Sequence, residues 1–135
     1  MNSNANIVLD KLTDDIMNAA VNAIDATMRR AKDFAESPTD KMQPPAKKGE
    51  KPRKAYPGGW SDVTSDLINS LTINKAKRDG SALMSDLFTD VEYAEKLDGR
   101  KRASGGTYYV LTGLDDDFDF KDEFDQFFSD AIAVL

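Results

Sequence analysis

Apolar positions in the first quarter of the chain recur at spacings of three and four. Leu9, Leu12, Ile16, Ala20, Ile24, Met28 and Ala31 make one stripe, and that spacing predicts an amphipathic helix over residues 4–36. No glycine or proline interrupts it before Pro38. At about 1.5 Å per residue the helix would reach roughly 45 Å. That is long for a small domain, so it is expected to lie across a sheet or to run past the core toward a neighbour.

The stripe stops at Ser37. Segment 37–59, SPTDKMQPPAKKGEKPRKAYPGG, holds all five prolines and three of the eight glycines. Neither a helical nor a strand period runs through it, so it reads as a long loop or arm. Loops beyond about fifteen residues are uncommon in compact domains unless they serve a function. Lys47, Lys48, Lys51, Arg53 and Lys54 gather here, and the arm over 41–54 is expected to order on binding something.

Periodicity returns in residues 60–135. Ser61 or Asp62 is predicted to cap a short helix that carries Leu67, Ile68 and Leu71 inward, with Trp60, the single tryptophan, anchoring the turn. LTINKAKRDGSALMSDLFT (71–89) reads as a β-hairpin turning at Asp79-Gly80. A two-residue loop there would set Ile73 opposite Asp86 and mix the faces. A three-residue loop, Asp79-Gly80-Ser81, sets Ile73 opposite Leu87 and Lys77 opposite Leu83, which keeps Leu71, Ile73, Leu83 and Leu87 together. Residues 91–97 are predicted as a short helix or turn stopped by Asp98-Gly99. The basic loop GRKRASGG and a strand-like TYYVLTGL follow. A C-terminal helix closes the chain, with Phe120, Phe124, Phe127, Phe128, Ile132 and Leu135 on one stripe and aspartates at the positive end of its dipole. The expected architecture is one α+β domain over 1–135: a long helix, a basic arm, and an α+β core over 60–135 in which a long N-terminal and a C-terminal helix pack on a small antiparallel sheet.

Composition narrows the chemistry. The chain has neither cysteine nor histidine, which removes disulfides, thiol nucleophiles, Cys/His zinc sites and imidazole acid–base catalysis. An enzyme built on it would rely on carboxylates, lysine, serine or tyrosine. No paired carboxylates stand out, and neither a phosphate-binding glycine loop nor a GxSxG elbow is present. No apolar run is long enough to span a bilayer, and the N-terminus shows no secretory signal. The expectation is a cytoplasmic, non-enzymatic chain with no cofactor and no membrane contact.

The net charge of −6 is unevenly spread. Residues 29–54 carry nine Lys or Arg against four Asp or Glu, whereas 115–135 carry eight acids against Lys121 alone. Such a dipole suits head-to-tail contact between copies. Asp115, Asp117 and Asp119 imitate the start of a calcium loop, but Phe120 stands where glycine must turn the chain and Gln126 where a bidentate glutamate belongs. A capped, solvated helix start explains these acids better. The arm and the GRKR cluster (Arg100, Lys101, Arg102) could meet phosphate, with Tyr56 and Trp60 stacking on bases. The acidic whole and the lack of a nucleic-acid motif argue against general duplex binding. The second reading is a small nucleic-acid-binding or regulatory protein that uses the basic arm over 41–54 as its contact surface.

Two stretches carry a family likeness. VTSDLINSLTI (63–73), then VEYAEKLDGR (91–100), resembles the neck and tail-completion proteins of long-tailed bacteriophages. Thr64, Leu67 and Ser70 match the family's first motif, with Leu71 in an isoleucine place. Val91, Glu92, Tyr93 and Ala94 match the second unchanged, and Val110, Leu111 and Leu114 fall near a third. Ser65, Val63 and Gly113 depart from the family's usual glycine, aspartate and proline. The resemblance implies a ring-forming virion structural protein, hexameric or dodecameric, that joins the head connector to the tail tube or tail terminator. In it, Tyr93 would follow a strand and pack on the sheet while nearby loops touch the next subunit. The basic residues of the arm and of GRKR, with Asp115, Asp116 and Asp117, are the candidate interface residues, and DNA in the channel is a possible further contact.

Overall fold

The computed structural model describes residues 3–39, 42–43, 48–49, 53–61, 66–79, 82–99, 101, 108–111 and 113–135. The long helix is present as α1, Ser3–Glu36, about 50 Å of helix at the usual rise. Its buried line shares Met28 and Ala31 with the predicted stripe but departs from it at Ile16, Ala20 and Ile24. Ala19, Ala23, Thr27, Ala31 and Ala35 are buried at a constant spacing of four, with Met28 beside them, while Ile16 is exposed. Small side chains at i, i+4 form a shallow groove into which bulkier neighbours fit. Thr27 can join this row because its hydroxyl donates to the Ala23 carbonyl at 2.7 Å.

The arm folds back on itself more than its composition implied. A two-residue antiparallel pair forms between β1, Met42–Gln43, and β2, Arg53–Lys54. The Thr39 N–H donates to the Ala55 carbonyl at 2.7 Å, and Ala55 bridges Ser61. Ser61 is therefore a bridge partner and not a helix cap. Between them Tyr56-Pro57-Gly58-Gly59 makes a tight turn, closed by the Gly59 N–H on the Tyr56 carbonyl at 2.9 Å, with Gly58 at φ +92°. Proline second and a positive-φ glycine third are what a type II turn requires. Trp60 leaves this turn only 1 % exposed, stacked on Tyr56 at 4.6 Å.

The short helix α2, Asp66–Ser70, turns Leu67 fully inward. The hairpin follows as β3, Thr72–Asp79, and β4, Ala82–Phe88. Ile73 does lie opposite Leu87, but Lys77 faces Met84 and Arg78 faces Leu83, because the register shifts between Asn74 and Lys77. A β-bulge in β3 absorbs one residue, so the connection between Asp79 and Ala82 shortens to two. Along β4, Leu83, Ser85 and Leu87 are half-buried, and Met84, Asp86 and Phe88 are exposed.

Helix α3, Glu92–Leu97, comes next, so Tyr93 sits inside a helix and not at the end of a strand. The predicted final strand is absent among the described residues 108–111. The Tyr109 N–H goes to the Gly58 carbonyl at 3.2 Å and the Val110 N–H to the Asp98 carboxylate at 2.9 Å. Their donors are thus spent on loops, not on a ladder. Gly113, at φ +100°, then leads into a 3-10 turn over Leu114–Asp116 and into helix α4, Phe120–Ala133. Asp119 caps α4 by accepting the Asp122 N–H at 3.0 Å, which is the role predicted for the leading aspartates.

The fold is α+β: α1 and α4 pack with the two-stranded antiparallel hairpin. The buried core gathers at the C-terminal end of α1. There Ala31 and Ala35 meet Trp60, Leu67, Leu71, Ala94, Val110, Leu114 and Phe118.

Candidate interaction surfaces

The two family-like motifs touch. At the end of α2 the Ser70 hydroxyl donates to the Leu67 carbonyl at 2.7 Å and hydrogen-bonds the Thr89 hydroxyl. The Thr89 oxygen also accepts the Val91 N–H at 3.2 Å, just before α3. Val91 and Ala94 pack in the same core cluster as Leu67. Residues far apart in sequence thereby become one junction, with Ser70 and Thr89 as its polar pin. Thr89 was not singled out in the sequence, although a threonine between a strand and a helix is a familiar turn-capping residue. Glu92 is exposed and forms an i, i+4 pair with Lys96 at 3.6 Å. Thr64 and the side chain of Tyr93 lie outside the described residues.

Below this junction a second set of bonds fixes the loop after α3. The Asp98 N–H donates to the Ala94 carbonyl at 3.0 Å, and the Gly99 N–H to the Tyr108 carbonyl at 2.8 Å. Tyr109 then lies across the YPGG turn. A Cβ on Gly58 would come within 2.1 Å of the Tyr109 carbonyl oxygen, so glycine is required there for space as well as for its φ. The Tyr109 hydroxyl donates to the Asp117 carboxylate. Burial of the ring, then the Asp117 hydrogen bond and the charges of Asp117 and Asp116, push its phenol well above the ordinary range.

The acidic candidates cluster where α1, the 3-10 turn and α4 converge. Asp115, Asp116 and Asp117 are exposed. Asp33, Asp117, Asp119 and Glu123 line a cleft of about 480 Å³ together with Phe34 and Phe118. Arg30 crosses it to Glu123 at 3.2 Å and ties α1 to α4. Among the described residues no group of three or more acids is arranged to hold a metal ion.

The basic candidates are more scattered. Lys48, Lys54 and Lys101 are exposed, Arg53 lies in β2, and Lys47, Lys51, Arg100 and Arg102 fall outside the described residues. Among the described residues no ion pair links Lys48, Lys54 or Lys101 to Asp115, Asp116 or Asp117. Trp60 is too deeply buried to stack on a base, which removes part of the case for nucleic-acid contact.

Apolar surface is the feature that the sequence reading undervalued. No residue of α4 is buried, although it carries four phenylalanines. Phe124 and Phe128 stack on each other at 5.4 Å. Ile132, Val134 and Leu135 are exposed beyond them, as are Met84 and Phe88 on the hairpin. No helix among the described residues is long and apolar enough to cross a membrane.

Compared with protein-family models, curated proteins and solved structures, the chain matches none of them.

Proposed function

We propose that the chain is a structural protein of a bacteriophage virion, seated in the ring that joins the head connector to the tail, and that it has no catalytic role. The observation that carries this reading is the Ser70–Thr89–Val91 junction, which brings together the two stretches that resemble neck and tail-completion proteins. Two further features support it. Basic residues gather in segment 29–54 of the sequence and acidic ones in 115–135, as surfaces that meet on successive ring subunits would require. The aromatic helix α4 also remains half-uncovered in the isolated chain, and an assembly would complete its burial.

The test is deletion of the gene from its parent phage, with lysates viewed by electron microscopy. The expected result is full heads and finished tails lying unjoined, or tails of uncontrolled length. Complete infectious particles would overturn the reading. A finer test replaces Lys47, Lys48 and Lys51 with glutamate. Incorporation of that variant into particles is expected to fall, and undiminished incorporation would remove the arm from the interface.

A further inference from the structure

The two strands of the hairpin present different outer edges. That of β3 is broken. The bulge leaves Lys75 and Ala76 opposite Ser85 alone, and the Ala76 N–H is taken by the Asp25 carboxylate of α1 at 3.1 Å. β4 carries no such device. Its seven residues alternate between exposed and half-buried without a break, and none is proline, glycine or lysine. Its one charge, Asp86, accepts from the Asn74 amide at 2.9 Å, on the strand that β4 already pairs with. In an antiparallel pair, alternate N–H and C=O groups point away from the partner strand. Among the described residues β4 has β3 as its one neighbour in the sheet. No described strand takes up that outward row, and such a row is a template for another strand.

A groove runs beside this edge. Leu87 and Phe88 both line a cleft of about 200 Å³. Their side chains stand on opposite faces of β4, one half-buried and one exposed, so a cleft that both line opens at the strand's edge. Among the described residues none from β3 borders it, while Ala94 of α3 and, beyond it, Val110 and Leu111 close the far side. The cleft therefore lies along the unpaired edge. Its volume is below the roughly 300–1,000 Å³ of small-molecule pockets and suits one apolar side chain. The charged residues at the cleft are both acids, Glu95 and Asp98. Asp98 accepts the Val110 N–H through one oxygen, and Glu95 is exposed. Neither Lys96, which pairs with Glu92 at 3.6 Å, nor Lys101 borders it.

We propose that this edge takes a strand from a different protein. The incoming segment is extended, pairs with β4 through its backbone, sets one apolar side chain into the cleft and carries lysine or arginine beside it. Backbone pairing supplies affinity and the cleft supplies selectivity. The basic stretches of this chain, KKGEKPRK (47–54) and GRKR (99–102), hold no large apolar residue, and Pro52 interrupts the first. Neither offers the anchor that a second copy would need. The inference goes beyond the virion reading and does not depend on it.

A fluorescein-labelled, acetylated hexapeptide that alternates leucine with lysine, titrated against the full chain, tests it by fluorescence anisotropy. Saturable binding with a Kd below about 100 µM is expected. An added strand turns one alternate set of its amides to β4 and the other to solvent. N-methyl groups on the first set should abolish binding, and on the second should leave it largely unchanged. Glu95→Lys, at an exposed position, should weaken binding by about threefold or more. Hydrogen exchange at alternate amides of β4, fast in the free chain, should slow in the complex. The proposal is overturned by the absence of saturable binding, by equal loss from both methylation patterns, or by an affinity that Glu95→Lys does not move. It is also overturned if every β4 amide is already protected in the free chain. Protection that appears only as the free chain is concentrated would give the edge to a second copy, and equally overturns it.

Discussion

The two ends of the packed structure are finished to different degrees. Around the C-terminal end of α1, short elements and turns enclose Trp60 and Leu67 almost completely, at 1 % and 0 % exposure. Alongside α1, the regular helix α4, with its four phenylalanines, buries none of its residues. The difference teaches that regularity and burial are separate properties here. Irregular segments close the core because their backbone groups find specific partners: the Gly58 carbonyl takes the Tyr109 N–H, the Asp98 carboxylate the Val110 N–H, and the Thr89 hydroxyl the Val91 N–H. α4 needs no such partners for its backbone, so it can leave apolar surface open for another molecule.

The largest effect is expected at Gly58. Gly58→Ala forces a side chain against the Tyr109 carbonyl and into a left-handed backbone position. Together these should cost about 3 kcal/mol or more, read as a fall in the urea midpoint. An unchanged midpoint would mean that the YPGG turn and Tyr109 do not pack as described. Next, Leu67→Ala should cost about 2–5 kcal/mol, while Phe128→Ala on the half-covered helix should cost only about 1 kcal/mol in the isolated chain. Equal losses would break the comparison between a closed and an open region.

A smaller effect tests the hairpin. Asp25→Ala removes the acceptor for the Ala76 N–H and should cost about 1 kcal/mol. Faster hydrogen exchange at Ala76 is the sharper readout. At Tyr109 the effect lies in pH. Its folded-state pKa is raised, so the native state holds the phenolic proton more tightly than the unfolded chain does. That contribution is fully present below the unfolded value of about 10 and is lost as pH rises through the folded value. The stability gap between wild type and Tyr109→Phe should therefore be flat at neutral pH and shrink in alkali. A gap that stays constant through alkaline unfolding would show that the phenol does not titrate with the fold.

Much of the secondary structure was legible because its signals are local. The 3.6-residue period of α1, the two strand-like runs that pair as the hairpin and the aspartates that open α4 each depend on neighbouring residues. What failed depended on tertiary partners. The stripe of α1 held at Met28 and Ala31, but before them it was drawn through Ile16, Ala20 and Ile24, where the buried row runs through Ala19, Ala23 and Thr27. Large residues mark an apolar face, but small ones mark where another element comes closest. The bulge had a sign in the sequence. Ile73 and Ala76 are both apolar though three positions apart, which strict alternation forbids, and both prove half-buried. TYYVL looked like a strand because of its side chains, but the described residues offer its backbone only loops to bond with. Of the candidate interface, the charges were evident in composition. The Ser70–Thr89 pin and the exposed apolar residues of the hairpin and the α4 end emerged only once the chain was folded.

Trp60 also determines what light can report about this molecule. It is the single tryptophan, it is stacked on Tyr56, and its indole N–H has no partner among the described residues. Its emission should therefore be that of an indole shielded from water, and should move to the red only when the core around Leu67 opens. The hairpin's outer face and the α4 end contain no tryptophan. A partner covering either surface should leave the emission wavelength unchanged. Intrinsic fluorescence would thus follow the folding of each copy while staying silent on assembly, so the two equilibria can be measured separately in one sample.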